Sequence, residues 1–117
     1  MENLQIYEEF KITASLRERV SYLGDIIRNN FYYPLTLISD KAYDEVVNMG
    51  VDIIPYLIED LRNKKNYSWV GVLYDITKEE PFKGVKGSSN IVKSWLDWYD
   101  NQYEEWLKNI KNNDTEI

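Results

Sequence analysis

The chain of 117 residues contains no cysteine and no histidine. Together these absences exclude a large share of enzyme chemistry. Without thiols there is no disulfide, no thiolate nucleophile and no Cys-ligated zinc. Without imidazole there is no histidine base and no histidine-built hydrolytic triad. Glycine and proline are scarce, at five and three residues, so each one marks a break worth reading. No apolar run approaches the roughly 18 residues of a membrane-spanning helix, so no membrane contact is expected. Positive charge is also in deficit: 14 basic residues face 20 acidic ones, for a net charge of -6. Phosphate-backbone binding needs a basic surface, and direct nucleic-acid binding is therefore not expected. Met1-Glu2-Asn3-Leu4 has neither a basic start nor an apolar signal core, which points to the cytoplasm.

What is present is apolar and aromatic. Hydrophobic residues make up 44% and aromatics 15%, with ten tyrosines and four tryptophans. That supply suits one core and a single helical domain over 1–117, with 1–14 as a lead-in and 111–117 as a frayed tail. Tyrosine and tryptophan have polar tips, so half-buried positions suit them.

The apolar spacing predicts an all-α fold of four to five helices stacked as antiparallel hairpins. Ser15-Leu16-Arg17-Glu18 forms a capping box, followed by Leu16, Val20, Leu23 and Ile27 on one helical face. Phe31 to Ser39 reads as an extended connector, because Pro34 disfavours helix at Tyr33. A second helix is expected over Lys41–Met49, with Asp40 as N-cap and Gly50 at C′. A third follows Asp52, carries Pro55 in its first turn, and buries Ile53, Ile54, Leu57, Ile58 and Leu61. Ser68 is placed to cap a fourth, with Trp69, Val72, Leu73 and Ile76 on its face. Gly71 at its middle costs about 1 kcal/mol against alanine, which implies close approach by a neighbour. After a loop over Lys78–Ser89, one continuous final helix is expected. Its stripe is Val92, Trp95, Leu96, Tyr99, Tyr103, Trp106, Leu107 and Ile110.

The segment Ala42-Tyr43 through Met49-Gly50, then Ile54-Pro55-Tyr56-Leu57, then Trp69 through Ile76-Thr77 resembles a HEAT-type helical repeat. More narrowly it resembles small bacterial and phage proteins built on that theme, whose Trp-rich last helix Trp95-Leu96-Asp97-Trp98 matches. Lys78 after Thr77 and Phe82 after Pro81 depart from the pattern. The resemblance implies the helical fold and binding of other macromolecules through helix faces.

Trp98 falls off the centre of the last stripe, beside Ile91. It is either an exposed anchor for a partner or packed under the Lys78–Ser89 loop. Tyr103 and Trp106 extend the same aromatic surface. Asp97, Asp100 and Glu104 line the opposite side as a solvated acidic face, or as a phosphate mimic aimed at a basic groove. They lack the flexible loop and glycine bend of a calcium site, and one helix face offers no cleft for a glycosidase pair. In Gly84-Val85-Lys86-Gly87-Ser88-Ser89 the lysine precedes the last glycine, the reverse of a phosphate loop. No catalytic residue, cofactor or metal is therefore expected. The reading is a non-catalytic interaction module, adaptor or small inhibitor with another protein as partner. The long last stripe also suits a homodimer. The alternative is an acidic nucleic-acid mimic that inhibits a nuclease or other DNA- or RNA-binding protein, and an enzyme built on carboxylates is the third reading.

Overall fold

The computed structural model describes residues 4–29, 37–63 and 66–115; every regular element among them is helical. Most of the connector expected over Phe31–Ser39 lies outside the described residues, as do Lys64 and Lys65. The chain divides into two compact units, Met1–Glu79 and Glu80–Ile117.

In the first unit, α1 (Leu4–Phe10) lies within the segment expected as a lead-in. Tyr7 is fully buried, and Phe10 stacks on Tyr22 with ring centroids 4.9 Å apart. The capping box forms as expected ahead of α2 (Leu16–Asn29). The Glu18 amide donates to Ser15 Oγ at 3.2 Å, and the Ser15 amide donates to Glu18 Oε1 at 3.1 Å. Two amides that the helix would otherwise leave unpaired are thereby satisfied.

α3 (Leu37–Asn48) starts earlier than the sequence suggested, so Asp40 lies within the helix and is not its N-cap. A capping side chain permits a start without forcing one, and here the helix extends back over Leu37-Ile38-Ser39. At the other end the glycine stop holds, with Gly50 at φ +75°. A 3₁₀ turn over Gly50–Ile53 leads into α4 (Ile54–Asn63). Pro55 is its second residue, where no intrahelical donor is lost. The N-cap of α5 (Ser68–Thr77) is Tyr67, which makes no side-chain capping bond, so the expected Ser68 cap is not formed. Asn66 Oδ1 accepts the Ser68 amide at 3.2 Å, and Ser68 is itself the first helical residue. Asn66 thus serves the first turn from the residue before the N-cap, through a local side-chain-to-backbone bond.

α3 lies chiefly against α2, and α5 packs on both α3 and α4. Val20, Leu23, Ile26, Val46, Ile53, Ile54, Leu57, Leu61, Trp69, Val72 and Leu73 are all at most 1% exposed. Each such aliphatic side chain contributes about 1.5–3 kcal/mol of burial. The close approach expected at Gly71 is present: a Cβ there would meet Tyr43 Oη at 3.0 Å.

The second unit opens with a turn over Pro81–Gly84, closed by the Lys83 amide on the Glu80 carbonyl at 3.1 Å. α6 (Ser88–Asn101) and α7 (Tyr103–Thr115) follow. The single final helix of the sequence reading is thus two helices, parted by Gln102 at φ -125° and ψ -19°. α6 ends with the Gln102 amide on the Trp98 carbonyl at 2.7 Å, and α7 begins with the Trp106 amide on the Gln102 carbonyl at 2.9 Å. Beside the break, Asn101 Nδ2 donates to the Asp97 carbonyl at 2.9 Å. A side-chain donor on an i−4 carbonyl competes with the backbone ladder and favours a bend. Residues 111–115, expected to fray, continue α7.

Candidate interaction surface

α6 and α7 carry every residue that the sequence nominated for a site. Trp98 is 2% exposed, which corrects its reading as a surface anchor. Its ring meets Trp95 at 5.6 Å, Trp106 at 5.6 Å and Tyr103 at 5.9 Å, each near perpendicular at 78°, 66° and 68°. The edge-to-face geometry places positive ring edges on negative faces and adds about 0.5–1.5 kcal/mol per pair to the area buried. Two of the three rings around Trp98 come from the first turn of α7, beyond the break at Gln102. From the preceding loop, Phe82 approaches Trp95 at 6.0 Å.

Tyr103 and Trp106 are half-buried, as is Tyr99. Tyr99 stacks on Tyr103 at 4.6 Å, and Tyr103 lies 6.4 Å from Trp106, both pairs within 27° of parallel. The three rings thus form a ladder with Trp98 set edgewise against two of them. Beneath the ladder the indole N–H groups of Trp95 and Trp98 are buried with no hydrogen-bond acceptor among the described residues. Such donors are rare in folded proteins and call for an explanation.

Asp97, Asp100 and Glu104 are all exposed, but the break divides them: Asp97 and Asp100 sit on α6, Glu104 on α7. Glu104 and Glu105 lie in the first turn of α7, where the helix dipole favours negative charge. That gives Glu104 a local structural role that the continuous-helix reading hid. In the loop, Asn90 Nδ2 donates to the Lys86 carbonyl at 3.0 Å, and Gly87 at φ +92° precedes α6.

The sequence reading missed two polar groups of the first unit. Asp60 on α4 is 3% exposed and anchors a polar network. Arg17 Nη2 donates to its Oδ1 at 2.6 Å, Arg17 Nη1 to its Oδ2 at 3.4 Å, and Trp69 Nε1 to the same Oδ2 at 3.3 Å. Arg17 also donates to Ser21 Oγ at 3.1 Å and pairs with Glu59 at 3.4 Å. Asp60 sits three residues after Leu57, on the apolar phase of its helix, and that phase was the available signal. The second group is Tyr43 Oη, which donates to Asp75 Oδ2 at 2.6 Å. Burial pushes the Tyr43 phenol well above its ordinary value, and the Asp75 carboxylate adds to the shift.

Open depressions lined by described residues mark the surface of this unit. One of about 310 Å³ is lined by Glu8, Lys41, Asp44, Glu45 and Asn48. Another, of about 210 Å³, is lined by Leu16, Arg19, Glu45, Asn48, Met49 and Asp52. Glu45 is common to both and is approached by Lys11 at 3.5 Å and Arg19 at 3.9 Å. Charges of both signs alternate around it, so no single ionic ligand class is selected. Among the described residues no group of three or more acidic side chains is placed to hold a metal ion. No helix among them is long and apolar enough to cross a membrane. Neither a family model, a curated protein nor a solved structure matches the chain.

Proposed function

We propose that this protein is a non-catalytic interaction module, an adaptor or small inhibitor, acting on another protein through the aromatic side of α6 and α7. The observation that carries the reading is the ladder of Tyr99, Tyr103 and Trp106, three rings left partly open on one short stretch of chain. Tyrosine and tryptophan dominate the energetics of protein interfaces, because they present large rigid area at little cost in side-chain entropy. Trp98 supports the ladder from below and is not itself the contact. The HEAT-type arrangement belongs to the same proposal, and the α3–Gly50–α4 sequence with its glycine stop and early proline supports it. A cytoplasmic site of action is part of the same proposal.

Affinity capture from a bacterial lysate tests the reading when run beside the variants Tyr103→Ala and Trp106→Ala at low and at high salt. The expected result is a partner retained in high salt by the parent chain and lost by both variants, each shown to be folded by circular dichroism. A partner that both variants retain overturns the assignment to this surface. A partner lost in high salt, and lost on charge reversal of Asp97, Asp100 and Glu104, replaces it with the acidic-mimic reading.

A further inference from the structure

We propose that α7 is a hinged cover over Trp98, pivoting at Gln102, and that its open form exposes the Trp98 indole. This inference rests on the reading of α6 and α7 as the interaction surface and adds a closed and an open state to it.

Three observations meet at this point. Trp98 is buried, and two of its three ring contacts, Tyr103 and Trp106, belong to the first turn of α7. Its N–H has no acceptor among the described residues, so the closed form carries a buried donor that water would satisfy on opening. One non-helical residue, Gln102, joins the two helices, so a change in its backbone angles alone swings α7 without unwinding a turn. The covering rings are themselves half-buried, which makes the cover one side chain thick on its outer side.

Trp69 and Trp95 act as internal references. Trp69 is equally buried, but its N–H is bonded to Asp60. Trp95 is buried and, like Trp98, has no acceptor for its N–H among the described residues, yet among these its ring neighbours are Phe82 from the loop and Trp98 on α6, with none from α7. A pivot at Gln102 uncovers Trp98 and leaves Trp95 in place. Unfolding of the whole second unit releases both.

The experiment is hydrogen exchange of the four indole N–H groups in the intact chain, followed by nitrogen-15 NMR and assigned with Trp98→Phe and Trp106→Phe. Trp98 is expected to exchange at least about a hundredfold faster than Trp69, with Trp95 staying slow. In a folded Trp106→Ala variant, Trp98 is expected to exchange faster still while Trp69 is unchanged. Equal protection of Trp98 and Trp69 overturns the hinge. Joint fast exchange of Trp95 and Trp98 overturns it as well, because the whole unit then opens. The measurement on the parent chain decides the matter even where a variant fails to fold. It is also independent of partner capture: a protected Trp98 alongside Trp106-dependent capture removes the cover and leaves the interaction surface standing.

Discussion

Arg17 at the start of α2 places two guanidinium nitrogens on the carboxylate of Asp60, 43 residues further along the chain, at 2.6 and 3.4 Å. The pair is unequal in exposure. The Asp60 side chain is 4% exposed and that of Arg17 28% exposed, so the carboxylate is the desolvated partner and the guanidinium its route to solvent. Trp69 Nε1 occupies the same Asp60 oxygen as Arg17 Nη1, which ties α2, α4 and α5 to one buried anion. Replacing such a group with apolar residues is often neutral, whereas removing one partner is not, because the other charge stays buried.

That asymmetry sets the first prediction. Arg17→Ala should lower the unfolding free energy by about 2–4 kcal/mol, since Asp60 stays buried and loses its guanidinium partner. The double substitution Arg17→Met with Asp60→Leu should recover most of the loss. Urea denaturation of the two variants decides it, and an unchanged midpoint in Arg17→Ala would show that the network holds nothing.

Gly71 and Tyr43 yield a coupled prediction. Alanine is favoured over glycine in a helix by about 1 kcal/mol, but a Cβ at position 71 would lie 3.0 Å from Tyr43 Oη. That oxygen is fixed by its 2.6 Å bond to Asp75 and does not yield cheaply. Gly71→Ala alone should therefore destabilise the protein. In a Tyr43→Phe background, where the oxygen is gone, the same change should stabilise it by up to about 1 kcal/mol. Additivity of the two substitutions in thermal melts would refute the contact.

Much of this architecture was readable in residue order. The reciprocal Ser15–Glu18 cap, the stop at Gly50, the early Pro55 and the crowding at Gly71 each depend on chemistry confined to a few neighbouring residues. The start of α3 was misplaced because Asp40 can cap a helix but equally tolerates its first turns. The Arg17–Asp60 pair was not legible because it joins residues 43 apart in the chain; the apolar phase of Asp60 on its helix signals burial but not the partner. Among the site candidates, Tyr103 and Trp106 keep partly open positions. Trp98 does not, and two of the rings packed on it lie beyond a helix break that no glycine or proline announces.

The Ser15–Glu18 cap makes stability depend on pH in a defined direction. The Ser15 amide, and after it the Ser15 hydroxyl, hold the Glu18 carboxyl below its ordinary value. A carboxyl that is more acidic in the folded chain binds its proton less readily there than in the unfolded chain. Its contribution is complete above the ordinary glutamate value of about 4.3 and fades as pH falls through the lower folded value. Ser15→Ala should cost about 1 kcal/mol near neutrality. Its deficit against the parent chain should narrow as the pH drops below that range. Carbon-13 titration of Glu18 in both chains provides the check, and an identical titration in the variant would rule out the hydroxyl as a cause.

The break between α6 and α7 has a nameable local cause, so it can be removed. Asn101 Nδ2 donates to the Asp97 carbonyl, and its side chain is less favourable in a helix than alanine by up to about 0.7 kcal/mol. Asn101→Ala frees that carbonyl and should let the helical ladder run through residue 102. The observable consequence is slower amide exchange at Tyr103, Glu104 and Glu105, which begin α7 in the parent chain. A straightened helix would also redirect Tyr103 and Trp106 away from Trp98, so Trp98 should become more accessible to acrylamide as those amides become protected. Opposite responses from neighbouring residues are hard to obtain by loosening the whole unit, which would expose amides and indole together. Should the amides stay unprotected, the ring packing around Trp98, and not the Asn101 side chain, is what bends the chain at Gln102.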